Sequence, residues 1–135
     1  VPDILVSAAV ITDDDGRVLV VRKQGTVRFM QPGGKPEPGE TPAQTLIREL
    51  HEELGLLLDE GDLEPLGTFV SEAANEPGHR VVAEAFATSI DPASVAVQAE
   101  LAELRWITAG DVETLPLAPL STEHLLPIAW PSLRD

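Results

Sequence analysis

The chain contains no cysteine and no tyrosine. Disulfides, thiol nucleophiles and thiolate metal sites are therefore excluded together, and the composition is compatible with a reducing compartment. Aromatic residues are limited to two Trp and three Phe, so few side chains can stack on a flat ligand. Basic residues are scarce too: nine Lys and Arg face 23 Asp and Glu, a formal net charge of −14. That balance argues against sequence-independent binding to DNA or RNA and against attachment to anionic lipid. No apolar run approaches the ~18 residues needed to span a bilayer. The N-terminus also lacks a basic start followed by an apolar segment and a small-residue cleavage site. The expected location is the cytoplasm, with no membrane partner. The start at Val1 rather than Met suggests trimming or an incomplete chain. At 135 residues and 43% hydrophobic content, residues 1–135 are expected to form one domain with a core of its own, and disorder is excluded.

What the chain has in concentration is carboxylates. Thr41 can serve as a helix N-cap, Pro42 suits the first helical position and Gln44 stands three residues after the cap, a capping-box signature. Ala43, Leu46, Ile47, Leu50 and Leu54 then recur at spacings of three and four, and Gly55 is placed to close the helix in a left-handed cap. The spacing predicts an amphipathic helix over 42–54. At roughly 100° per residue, Glu49, Glu52 and Glu53 fall on a face beside the apolar stripe, close to one another. Like charges at these spacings cost a helix roughly 0.2–0.5 kcal/mol per pair, and the last turns are also where the helix dipole disfavours negative charge. A cation is expected nearby. Arg48 offsets part of the charge; a hard divalent ion such as Mg²⁺ or Mn²⁺ fits better, because such ions take carboxylate oxygens together with substrate phosphates.

Before the helix, Gln31-Pro32-Gly33-Gly34-Lys35-Pro36-Glu37-Pro38-Gly39-Glu40 holds three glycines and three prolines in ten residues. That composition specifies a shaped turn with room for close backbone approach at Gly33 and Gly34. Four of the nine basic residues lie between Arg22 and Lys35. With a Debye length of about 8 Å at physiological salt, local cations decide what a cleft attracts. Arg22, Lys23 and Lys35 are thus candidates for phosphate contact.

Gly34, Glu40, Arg48, Glu49, Leu50, Glu52, Glu53, Gly55 and Leu56 match the fixed positions of the Nudix box, and the chain accordingly resembles the Nudix hydrolase family. The match is strongest from Gly34 to Leu56 and weaker but coherent from about Ile4 to Trp106. The resemblance implies an enzyme that hydrolyses a nucleoside diphosphate linked to another group. Glu49, Glu52, Glu53 and the Gly34 turn are the expected metal-holding positions. Arg48 is expected to orient a neighbouring glutamate, Glu40 to support the loop or a metal-bound water, and a basic residue in the Gly33-Gly34-Lys35 turn to face the phosphates. A carboxylate must take the proton of the attacking water; Glu52 or Glu49 comes first, with Glu100 a further candidate, because some relatives carry an extra glutamate six residues before the position of Trp106. The favoured substrate is a nucleoside triphosphate or modified nucleotide, giving monophosphate and pyrophosphate. The alternatives are ADP-ribose or a nucleotide sugar, and a non-catalytic nucleotide-binding module. Relatives that remove oxidised guanine nucleotides read the base with a C-terminal asparagine, whereas Asn75 is the one asparagine here. The resemblance also allows a homodimer.

Elsewhere Ile4 to Thr12 and Arg17 to Arg22 read as strands joined by a hairpin at Asp13-Asp14-Asp15-Gly16. The Asp triplet is read as turn chemistry rather than a metal site. Gly67 to Val70, Arg80 to Thr88 and Leu101 to Ile107 are further strand candidates. Short helices are expected at Ala109 to Thr114 and at Ser121 to Leu126, the second limited by Pro127. Phe29 has the best position to line a pocket, while Glu103 reads as a charge flanking a strand. The pattern is an α/β domain with helices over a mixed sheet, and the family resemblance implies an α/β/α sandwich.

Overall fold

A computed structural model describes residues 3–74 and 76–131. Asn75, and with it the reading attached to that residue, lies outside the described residues.

Runs of β-branched and small apolar residues alternate with polar ones to give strands β1 (Asp3–Thr12), β2 (Val18–Lys23), β4 (Glu64–Glu72), β5 (Arg80–Ser89) and β6 (Leu101–Ile107), with the two-residue β3 (Gly33–Gly34). Their order in the sheet is β4-β5-β1-β2-β6, and β3 pairs with β1. The β1–β5 pair is parallel and the others are antiparallel, so the sheet is mixed, as expected. Within the hairpin between β1 and β2, the Asp13 carboxylate accepts from the backbone N–H groups of Asp15 and Arg17 and from Arg17 Nε at 2.7 Å. The Asp triplet is therefore a turn.

Helix α1 spans Pro42–Leu54, where the apolar spacing placed it. Its capping box is complete: Gln44 N–H donates to Thr41 Oγ1 and Thr41 N–H donates to the Gln44 side chain. Gly55 closes it at φ 72°, a left-handed conformation that favours glycine. Because strand side chains alternate, the odd-numbered Ala9, Ile11, Leu19 and Val21 face α1 and meet Leu46 and Leu50. The even-numbered Ala8 and Val10 face the other way and pack on Leu125, while Val18 and Val20 meet Leu126. The sheet is thus covered on both sides, the layering of the expected sandwich.

The C-terminal cover departs from expectation. A π-helical turn at Ser121–Leu125 runs into α2, Leu126–Ala129, so Pro127 sits inside the helix and does not end it. The wide turn bonds Leu126 N–H back to Ser121 O, and Pro127 then occupies the first turn of α2, where a proline lacks only an N–H that has no partner to lose. The short helix expected from Ala109 is present as a 3₁₀ helix over Ala109–Glu113.

Candidate active site

The C-terminal half of α1, the glycine turn before it and the segment leading into β6 meet at one end of the sheet. Gly33 and Gly34 are needed there for lack of a side chain. A Cβ on Gly33, which has φ +150°, would overlap the Ser7 carbonyl oxygen, and one on Gly34 would overlap the Glu49 carboxylate. The turn therefore lies directly against both β1 and the first glutamate of the helix face.

Arg48 organises one side of this site. Its Nε donates to Glu40 at 2.8 Å, Nη2 donates to Glu40 and to the Lys35 carbonyl, and Nη1 reaches Glu49 at 3.1 Å and Glu52 at 3.4 Å. Glu40 also accepts from the Glu37 backbone N–H and from Thr45 Oγ1. The Arg48 bond holds the Glu40 carboxyl at about 2, far below its usual value. One arginine thus ties the turn to the helix and touches two of the three glutamates.

Glu53 stands apart. The helical spacing places it beside the apolar stripe, yet it is only 4% exposed, and its Oε1 has no hydrogen-bond partner. Its burial is set by the segment before β6, where Ala96 N–H donates to Leu54 O and Gln98 N–H to Glu53 O, folding that segment over the helix end. Burial, and next the charge of Glu49, push the Glu53 carboxyl up to about 7; Lys23 and the Gly33 N–H pull the other way. Glu49 is raised as well, by burial first, with Arg48 and Lys23 opposing. Leaving a buried polar atom unpaired costs roughly 1–3 kcal/mol, and the neighbouring Glu49 carboxylate adds repulsion. The donor set is oxygen only, which suits a hard divalent cation, and the orphaned Glu53 oxygen is the feature of this fold that such a cation would satisfy. Among the described residues no three carboxylate or imidazole groups converge as a ready-made metal cluster. Glu49 and Glu52 lean on Arg48 instead, and the half-exposed Glu52 side chain has room to swing.

The other candidate residues divide. The charge of Lys23 acts on both Glu49 and Glu53. Glu100 is exposed, but its charge reaches Glu53, and its carbonyl accepts from Gln24 N–H; Ala99 before it holds a positive φ of 53°, uncommon for a residue with a Cβ. Lys35 pairs with Glu76 at 3.6 Å. Arg22 is engaged elsewhere: Nε donates to Glu103 at 3.0 Å and Nη1 to the Thr26 carbonyl at 2.8 Å. Glu103, held below its usual range by Arg22, is thus half of a cross-strand pair rather than a bare flanking charge. Phe29 is a correction. It is buried against Val20, Ile107 and Leu117, with the Arg105 guanidinium 5.2 Å from its ring centroid, and it is not among the residues lining the cavity beside the glycine turn.

Beside the glycine turn lies a cavity of about 160 Å³, walled by Ile4, Val6, Ala8, Met30 and Leu120, with Lys23 and Lys35 among its lining residues. Gln31 and Ser121 also line it, and sequence reasoning overlooked both. A glutamine directly before Pro32-Gly33-Gly34 was the available signal for the first; nothing local marks the second.

The NUDIX domain family model matches residues 3–130. The chain belongs to that family. It is similar to an uncharacterised Nudix hydrolase of Bacillus subtilis, at 30% identity over 81% of this chain and 69% of that protein. It also resembles an RNA pyrophosphohydrolase of Legionella pneumophila, 44% identical over 59 residues, which is 44% of this chain and only 33% of the relative. In three dimensions it is similar to a MutT protein from Methanosarcina mazei, with a TM-score of 0.77 and 20% identity over 99% of this chain and 97% of that one. This Nudix chain is therefore a hydrolase by family, with a mixed-sheet α/β fold. No helix among the described residues is long and apolar enough to cross a membrane.

Proposed function

We propose that this Nudix protein hydrolyses the diphosphate linkage of a nucleoside triphosphate or a modified one, giving nucleoside monophosphate and pyrophosphate, and that it needs Mg²⁺ or Mn²⁺ to do so. The observation that carries the metal requirement is the buried Glu53 carboxylate with an unpartnered oxygen beside Glu49, under the Gly33–Gly34 turn. Glu49, Glu52 and Glu53, with the Gly34 backbone, would hold the ion. Bound there, a divalent cation neutralises phosphate oxygens and lowers the pKa of water.

The protein's own groups supply the rest. Arg48 fixes the positions of Glu40 and Glu49, reaches the more exposed Glu52 at 3.4 Å, and pins the turn through the Lys35 carbonyl. Lys23 and Lys35 are the cations on the cavity side of the turn, where Glu72 and Glu76 also lie and Lys35 pairs with Glu76, so a polyphosphate would have to displace that pair to use Lys35. Glu52 has the most exposed carboxylate of the three, which supports it over Glu49 as the group that takes the proton of the attacking water. Glu100 stands close enough to influence Glu53 through its charge.

The test is incubation with Mg²⁺ and a panel of nucleoside triphosphates, nucleotide sugars, ADP-ribose and 5′-triphosphorylated RNA, with products separated by chromatography and Glu53→Gln as control. Monophosphate and pyrophosphate from a free triphosphate support the reading. Cleavage confined to sugar-linked diphosphates, or to RNA ends, moves the substrate class, and nucleotide binding with no turnover of any diphosphate contradicts it.

A further inference from the structure

Three buried polar residues line the cavity beside the glycine turn, Ser7, Gln31 and Ser121, and only Gln31 has a side-chain atom without a partner. Gln31 is 6% exposed, and its backbone is held on both sides: Met30 pairs with Val21, and the Pro32 carbonyl accepts from Ala9 N–H at 2.9 Å. Its side-chain Oε1 accepts from the Ser121 hydroxyl at 2.5 Å. Ser121 is itself fully buried and opens the π-helical turn, a local widening often found at functional sites. With Oε1 bonded to Ser121, Nε2 is left with no partner. A buried amide that is pinned at one end and unpaired at the other calls for an acceptor from outside the chain.

The surroundings narrow what that acceptor belongs to. The walls from Ile4, Val6, Ala8, Met30 and Leu120 are apolar, and the cavity of about 160 Å³ is of the size that accommodates a small aromatic ring: a cavity of about 150 Å³ takes benzene. Lys23 and Lys35 line the same cavity together with Glu72 and Glu76, and Lys35 pairs with Glu76 at 3.6 Å, so Lys23 is the lining cation left to meet the phosphates that follow a base. Flat apolar body, one hydrogen-bond acceptor on its edge, anionic tail: this is the description of a nucleobase carrying a carbonyl oxygen.

We propose that Gln31, oriented by Ser121, is the specificity-determining residue of this protein, donating from Nε2 to the carbonyl oxygen of a keto base and disfavouring the amino counterpart. The inference rests on the nucleotide reading of the site and names the chemical class of base within it. An exocyclic amino group meeting Nε2 sets donor against donor and leaves both unpaired, which is how a polar contact discriminates between bases of the same shape.

Two pairs of triphosphates test the effect, each exchanging a keto for an amino group together with the proton on the neighbouring ring nitrogen: inosine against adenosine triphosphate, and uridine against cytidine triphosphate. Binding is measured by calorimetry on metal-free protein, and kcat/KM is measured separately with Mg²⁺. The wild type is expected to favour the keto member of at least one pair by roughly tenfold or more in both readouts. Gln31→Leu should abolish the preference. Ser121→Ala, which frees the amide, should reduce it while leaving the unfolding transition cooperative, and it covers the case in which Gln31→Leu fails to fold. Equal binding within both pairs, a preference for the amino member, or a keto preference that survives both substitutions overturns the proposal. A keto preference in binding without turnover of any triphosphate leaves it standing and counts instead against the proposed hydrolysis.

Discussion

Two carboxylates are buried among the described residues, and they are opposites. Asp13 is 7% exposed and Glu53 is 4% exposed. Asp13 receives two backbone N–H groups and the Arg17 guanidinium, which outweigh its burial and leave its carboxyl below the ordinary value. Glu53 is desolvated beside Glu49, has one oxygen without a partner, and is pushed up to about 7. A carboxylate whose partners all come from its own turn holds that turn together. A carboxylate buried without enough partners lowers stability, and such a group is expected where an outside cation or proton completes it. Arg48 shows the same division within the box itself, since it bonds both oxygens of Glu40 and leaves Glu53 untouched.

The largest expected effect is on turnover. Glu53→Gln should lower kcat with Mg²⁺ by on the order of 10²-fold or more if the residue holds the metal; near-wild-type turnover in a steady-state assay would make Glu53 resemble Asp13, a structural group. Next comes the pH dependence of the metal-free protein. Between the ordinary glutamate value of 4.5 and about 7, folded Glu53 keeps a proton that the unfolded chain has lost. Its contribution to stability is therefore fully present below 4.5, declines as pH rises through that window, and is gone above about 7. The loss is on the order of 3 kcal/mol, and denaturant titrations of wild type against Glu53→Gln should show it as a difference that grows with pH in the variant's favour.

Asp13→Asn should behave in the reverse sense, lowering the thermal midpoint by several degrees at pH 7. The penalty should shrink only in acid, where the wild-type carboxyl is protonated too. The smallest effect is expected at Arg22, whose donors are taken by Glu103 and Thr26. Arg22→Gln should change the nucleotide KM by less than about twofold, whereas a large increase would mean that Arg22 leaves its strand partner for the phosphates.

The sequence made α1 legible because its signals are local. Thr41, Pro42 and Gln44 start it, an apolar stripe runs along it, and Gly55 stops it within a few residues of one another. The glutamate face was legible for the same reason, and so was the turn at Asp13. What escaped depends on chain brought in from far away. Glu53 is buried because the Ala96–Gln98 segment closes over the helix end, which no helical spacing reveals. Phe29 was read as a pocket residue from its place before the glycine turn, but Leu117 and Arg105 cover it from the C-terminal third. Pro127 was expected to limit the second short helix, and the π turn before it instead carries the helix past that residue. Gln31 drew no attention because an orphaned amide is visible only once Ser121 is seen to hold its other end.

The most direct test of the contrast between the two buried carboxylates is the proton count of metal binding. Mn²⁺ titrations of the nucleotide-free protein by calorimetry near pH 6, in buffers of different ionisation enthalpy, measure how many protons leave as the ion enters. If Glu53 holds the metal, its burial-raised carboxyl must give up its proton, so about one proton per ion should be released by the wild type and by Asp13→Asn, and markedly fewer by Glu53→Gln. Metal binding with no proton release, or with a release that Glu53→Gln leaves unchanged, would contradict the account.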